Sequence, residues 1–201
     1  EKGDAGAIAA VSARLEDADE DVQIAALYAL PKIAEKGDAG AIAAVSARLE
    51  DADEDVQIAA LYALPKIAEK GDAGAIAAVS ARLEDADEDV QIAALYALPK
   101  IAEKGDAGAI AAVSARLEDA DMAVRKAAVD ALPKIAEKGD ASAIAAVSAR
   151  LEHADWSVRE AAVFALPDIA EKGDAGAIAA VSARLEHADS SVRIAAVHAL
   201  S

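Results

Sequence analysis

The chain has no cysteine. Disulfides, thiolate metal ligation and a cysteine nucleophile are therefore excluded. Aromatic residues make up only 2% of 201 residues although 55% are apolar, and alanine supplies much of the difference. With 28% charged residues and five prolines, this is a composition of helices, not of sheets. No apolar run approaches the roughly 18 residues of a membrane span. The first 30 residues hold no continuous apolar stretch of the signal-peptide kind, so a soluble chain without a targeting signal is expected. Lys and Arg number 20 against 37 Asp and Glu, a net charge of −17. That balance argues against nucleic acid and against anionic membrane surfaces, both of which need clustered cations.

What is present is repetition. Residues 1–34 return unchanged at 35–68 and 69–102. Variants follow at 103–136 and 137–170, and a shortened copy fills 171–201. Each unit reads as two helices. Asp4 is the expected N-cap of the first, which runs to about Glu16 with Ile8, Val11 and Leu15 at helical spacing. Asp17-Ala18-Asp19 is a turn, with Asp19 capping the second helix and Glu20 and Asp21 favoured in its first turn by the helix dipole. Val22, Ala26, Ala29, Leu30 and Ile33 form the expected core stripe. Pro31 should bend or break the last turn, and Gly37 should close the helix. One such unit is too small to be stable alone. The expected fold is all-α, an alpha-solenoid over residues 1–201, with three identical repeats (1–102) and three variant ones (103–201).

The period of 34 is shared with the tetratricopeptide repeat, but that repeat's Trp, Leu-Gly and Tyr pattern is absent. The strings VRKAAVDALPKIA, VREAAVFALPDIA and VRIAAVHAL resemble the second helix of HEAT repeats, most closely the phycobilin-lyase type. Two departures stand out: proline (Pro31, Pro65, Pro99, Pro133, Pro167) where that type has glycine, and Gln23, Gln57 and Gln91 where it has arginine. The near-identity of the units also resembles artificial alpha-helicoidal HEAT-like proteins built as binding scaffolds. The resemblance implies protein–protein interaction through the second-helix surface and no catalytic residues. A lyase activity would need a chromophore pocket, which the sequence does not locate.

The units differ at few positions. Position 20 is Glu in units one to three, then Met122, Trp156 and Ser190. Position 24 is Ile, then Lys126, Glu160 and Ile194; position 28 is Tyr, then Asp130, Phe164 and His198. Position 21 changes from Asp to Ala123, Ser157 and Ser191, position 17 to His153 and His187, and position 32 to Asp168. At about 100° per residue, positions 20, 21, 24, 28 and 32 lie on one side of the second helix, opposite Val22. The expected partner-binding residues are Met122, Lys126, Asp130, Trp156, Glu160, Phe164, Ser190, Ile194 and His198, facing a protein or peptide. Tyr28, Tyr62 and Tyr96 read either as a structural ladder or as one contact per repeat. The identical units carry −4 each, the others −1, −3 and −1, so the variant half repels a protein surface less.

No cofactor and no metal are expected. Asp17, Asp19 and Asp21 mimic the start of a calcium loop, but Val22 stands where glycine belongs and Tyr28 where glutamate belongs. His153 and His187 are one repeat apart, about 10 Å, too far for one ion. Gly3 to Gly6 lacks the Lys-Ser/Thr pair of a phosphate loop. Lys-Gly-Asp reads as glycine followed by an N-cap. Neither end carries a polar capping unit, so head-to-tail self-association is the alternative expectation.

Overall fold

The computed structural model describes residues 2–200, and of His198 only the backbone. It contains twelve α-helices and no strand among the described residues. The chain divides into two compact units, Glu1–Glu103 and Lys104–Ser201. The first unit holds α1 (Ala5–Ser12), α2 (Glu20–Ile33), α3 (Ala39–Ala47), α4 (Glu54–Ile67), α5 (Ala73–Ala81) and α6 (Glu88–Ile101). The second holds α7 (Ala107–Ala115), α8 (Met122–Ile135), α9 (Ala141–Arg150), α10 (Trp156–Ile169), α11 (Ala175–Ser182) and α12 (Ser190–Ala199).

Local chemistry sets the boundaries. The Asp4 carboxylate accepts the Ala7 N–H at 2.8 Å, and Asp38, Asp72, Asp106, Asp140 and Asp174 cap the other first helices in the same way. Each supplies a partner to an N–H that the helix leaves unpaired. Asp19 does the same for α2, accepting from Asp21 and Val22. Of the bend or break expected at Pro31, no break occurs. Helix α2 continues to Ile33, because the proline sits in the last turn and costs a single backbone bond.

The expected role of Gly37 is also corrected. α2 ends on Ala34 in extended conformation, without a glycine cap. Gly37, with φ +84°, instead donates its N–H to the Ile67 carbonyl at 2.7 Å. It therefore caps the second helix of the repeat it opens, not of the one it follows. Gly3, Gly71, Gly105 and Gly139 make the same bond to Ile33, Ile101, Ile135 and Ile169. A side chain here would need the left-handed backbone that only glycine adopts freely.

Within each unit the second helices pack on one another more extensively than the first helices do. The core is wider than the expected stripe. Leu27, Leu61 and Leu95 are fully buried, although position 27 lies well away from Val22 around the helix. A second helix in the stack is covered by its own first helix and also by neighbouring second helices, so more than one side of it is buried. Ile58 and Ile92, placed on the outward stripe, are half-buried for the same reason.

A polar ladder joins successive repeats. Arg48 donates to the Leu15 carbonyl at 3.1 Å, and Arg82 to Leu49 at 3.0 Å. In the second unit Arg184 reaches Leu151 at 3.3 Å.

Candidate interaction groove

The variable positions separate into two sets. Positions 17, 21 and 23 build the turn between the helices. Gln57 donates to the Asp51 carbonyl at 2.6 Å, and its Oε1 is buried without a hydrogen-bond partner. In the second unit arginine takes this place. Arg125 donates to the carbonyls of Asp119 and Ala120 at 2.7 and 2.8 Å, and to the cap carboxylate Asp155 of the next repeat at 2.8 Å. Only its Nε is left without a partner. Arg159 repeats the carbonyl bonds, with an ion pair to Asp189 at 3.7 Å.

Charged hydrogen bonds contribute about 1.5–3 kcal/mol, and an unmet buried acceptor costs about 1–3. Arg125→Gln is therefore expected to destabilise by about 1–3 kcal/mol. Gln57→Arg, with Asp87 standing where Asp155 stands, should stabilise. Urea unfolding of the two variants checks both signs.

His153 and His187 belong to this set. Each Nδ1 accepts the N–H of the cap residue, Asp155 or Asp189, at 3.0 Å. Asp17, Asp51 and Asp85 offer a carboxylate to the same N–H elsewhere. Ser157 and Ser191, assigned to the outward stripe with position 21, likewise donate their hydroxyls to Asp155 and Asp189 at 2.8 Å. These hydroxyls, the serine N–H groups and then Arg125 or Arg159 hold both cap carboxyls below the usual carboxylate range. Glu118 is lowered by its hydrogen bond and charge contact with Arg150.

A carboxyl depressed in the folded state contributes stability above its unfolded pKa and loses it as pH falls through the folded value. The part of the stability that these carboxyls supply should thus be level above about pH 5 and fall below about pH 4. Asp155→Asn should flatten that fall, as read from thermal melts between pH 7 and 2.

Positions 20, 24, 28 and 32 remain, four residues apart along the outer face of the second helices. Met122, Trp156 and Phe164 are 53%, 53% and 51% exposed, and Lys126 and Asp130 are exposed while Glu160 is half-buried. Between α8 and α10 these six residues surround one groove of about 960 Å³. Val129, Pro133, Ala161 and Ala165 line it, with Lys134, Ser157 and Asp168 at its edge. Lys134 is a groove residue that the comparison of units could not flag, because that position is lysine in each of the first four units. Ser190 and Ile194 lie on α12, exposed but outside the groove. His198 was assigned to the same face, and its side chain lies outside the described residues.

In the first unit Tyr28, Tyr62 and Tyr96 form an exposed row. The Lys66 ammonium stands 6.0 Å from the Tyr28 ring centre, at the outer limit of a cation–π contact. Among the described residues no three His, Cys, Asp or Glu side chains are placed to hold a metal ion. No described helix is long and apolar enough to cross a membrane.

A family model of HEAT repeats matches residues 8–99, 76–167 and 144–201. The chain belongs to the HEAT-repeat family. No curated protein matches this HEAT chain. Among solved structures it is similar to a designed armadillo repeat protein in complex with peptide (KR)4, at 25% identity and a TM-score of 0.66, covering 96% of this chain and 99% of that one. An engineered protein shares 27% identity over 96% of both chains, with a TM-score of 0.63. The complex of CpcE and CpcF of phycocyanin lyase from Nostoc sp. PCC7120 shares the fold at 23% identity and a TM-score of 0.60, covering 96% and 75%.

Proposed function

We propose that the chain is a binding scaffold that holds a protein or peptide against the outer face of its second helices, chiefly through the α8–α10 groove, and that it carries out no catalysis. One observation carries the reading. Six near-copies keep their caps and, but for Leu to Val at position 27 and Gln to Arg at position 23, their interior, yet the outer row of the later copies differs from unit to unit and places Met122, Trp156 and Phe164 half in water. Large apolar side chains so placed add nothing to the core, whereas tryptophan is a frequent interface anchor. The likeness to a designed repeat protein solved with a bound peptide supports the same reading. The test is selection of binders for the chain from a displayed library of random peptides. Binding should depend on Trp156 and Phe164, and binders indifferent to both residues would place the contact elsewhere.

A second reading, end-to-end self-association, rests on the last repeat. Ile178, Leu185 and Leu200 are exposed there, although Leu151 and Leu166, which match Leu185 and Leu200 in the preceding repeat, are buried. Leu166, Ala177, Ile178, Val181 and Leu200 border a hollow of about 540 Å³. The first repeat of a second copy would cover this face as each repeat covers its neighbour. A mass that rises with concentration in light scattering supports this reading, and a constant monomer mass rejects it.

A further inference from the structure

The chemistry of the groove narrows its occupant. Position 28 carries an aromatic ring in units one, two, three and five, and an acid, Asp130, in unit four. Asp130 stands where units one to three have a tyrosine, in the same groove as the Phe164 ring and the apolar residues Val129, Ala161 and Ala165.

The charges around it alternate. The α8 wall reads Lys126, Asp130, Lys134, and the α10 wall reads Glu160, Phe164, Asp168. Lys126 and Lys134 lie one turn on either side of Asp130, where they could neutralise it. None of these charged groups makes an ion pair among the described residues. On α10 the acids face no cation of their own helix. A partner complementary to this pattern presents a cation at its centre, between Asp130 and Phe164.

Resting on the binding role proposed above, we infer that the groove takes an exposed arginine of a protein or peptide partner. Its guanidinium lies over the Phe164 ring and donates to the Asp130 carboxylate. Arginine suits both contacts at once, because its planar fork pairs with a carboxylate through its edge and stacks on an aromatic ring through its face. Lysine offers a point charge and meets only one of these demands well.

The test uses the full chain and peptides selected on it from a library of random 12-residue peptides. Titrations follow the emission of Trp156, the only tryptophan in the chain, and calorimetry for variants that lack it. Selected peptides should contain arginine. Its replacement by citrulline, which keeps the shape and removes the charge, should weaken binding by about tenfold or more, the size of one charge-assisted contact. Asp130→Asn should do the same, and the citrulline peptide should lose little further affinity for that variant.

Peptides that need Trp156 and Phe164 but bind equally with citrulline would overturn the arginine anchor and leave the binding role standing. Should no selected peptide depend on Trp156 or Phe164, the contact lies elsewhere, and the groove's binding role fails with the anchor. Asp130 is exposed, and the citrulline arm leaves the protein untouched, so loss of folding cannot mimic the expected result.

Discussion

Replacing Trp156 and Phe164 together by alanine is expected to weaken capture of a selected partner by at least about 100-fold, as two interface anchors of about 2 kcal/mol each would require. The helical circular dichroism should stay unchanged. Both side chains stand outside the core, half in water, and substitutions at such sites usually shift stability by only about 0.5 kcal/mol. The combination is diagnostic. Rings folded onto the alanine-rich surface as packing would show the reverse: retained binding and a lowered unfolding midpoint. The two residues lie at positions 20 and 28 of one helix, eight residues apart, so a ligand that covers both must lie along α10.

The second large effect is on stability. Leu61→Ala should cost about 2–5 kcal/mol, the range for a buried leucine that leaves a cavity. Leu61 is wholly buried in the middle of α4, between α2 and α6. Its neighbour in sequence, Tyr62, is exposed, and Tyr62→Ala should cost about 1 kcal/mol or less. Urea unfolding of the two variants separates adjacent residues with opposite environments. Similar small losses for both would mean that the second helices do not pack on each other as described.

Leu61 also marks where the sequence stopped being legible. The helices, their starts and their caps could be read because Asp4 and Asp19 act on N–H groups two or three residues away. Their ends could not, since the first helix, expected to reach Glu16, stops at Ser12 and goes on as a 3-10 turn, and α2 runs past Pro31. The repeat period then implied stacking. Position 27 could not be read, since a helical wheel has one evident core direction and stacking adds another. Nor could the partners of Gly37 and Arg48, which bond across 30 and 33 residues.

The substitutions held a signal that a closer comparison of units would have used. Positions 17, 21 and 23 change alike in units five and six, to His153, Ser157 and Arg159 and to His187, Ser191 and Arg193. Changes shared in this way rebuild one turn, where each side chain bonds the backbone or the cap of its own loop. At positions 20, 24 and 28 the same two units diverge, with Trp156 against Ser190, Glu160 against Ile194 and Phe164 against His198. Divergence at solvent-facing positions, between two units whose buried positions match, is what contact with something outside the chain would produce. Asp168, at position 32 of the same row, joins the groove edge, and Lys134 enters it without having changed.

The most direct measurement is hydrogen–deuterium exchange of the chain with and without a selected binder. Exchange should slow in α8 and α10, centred on the segments that carry Lys126 to Asp130 and Trp156 to Phe164, with little change in the first helices. Protection confined to the first helices, or to the tyrosine row of α2, α4 and α6 with α8 and α10 unaltered, would contradict the binding role.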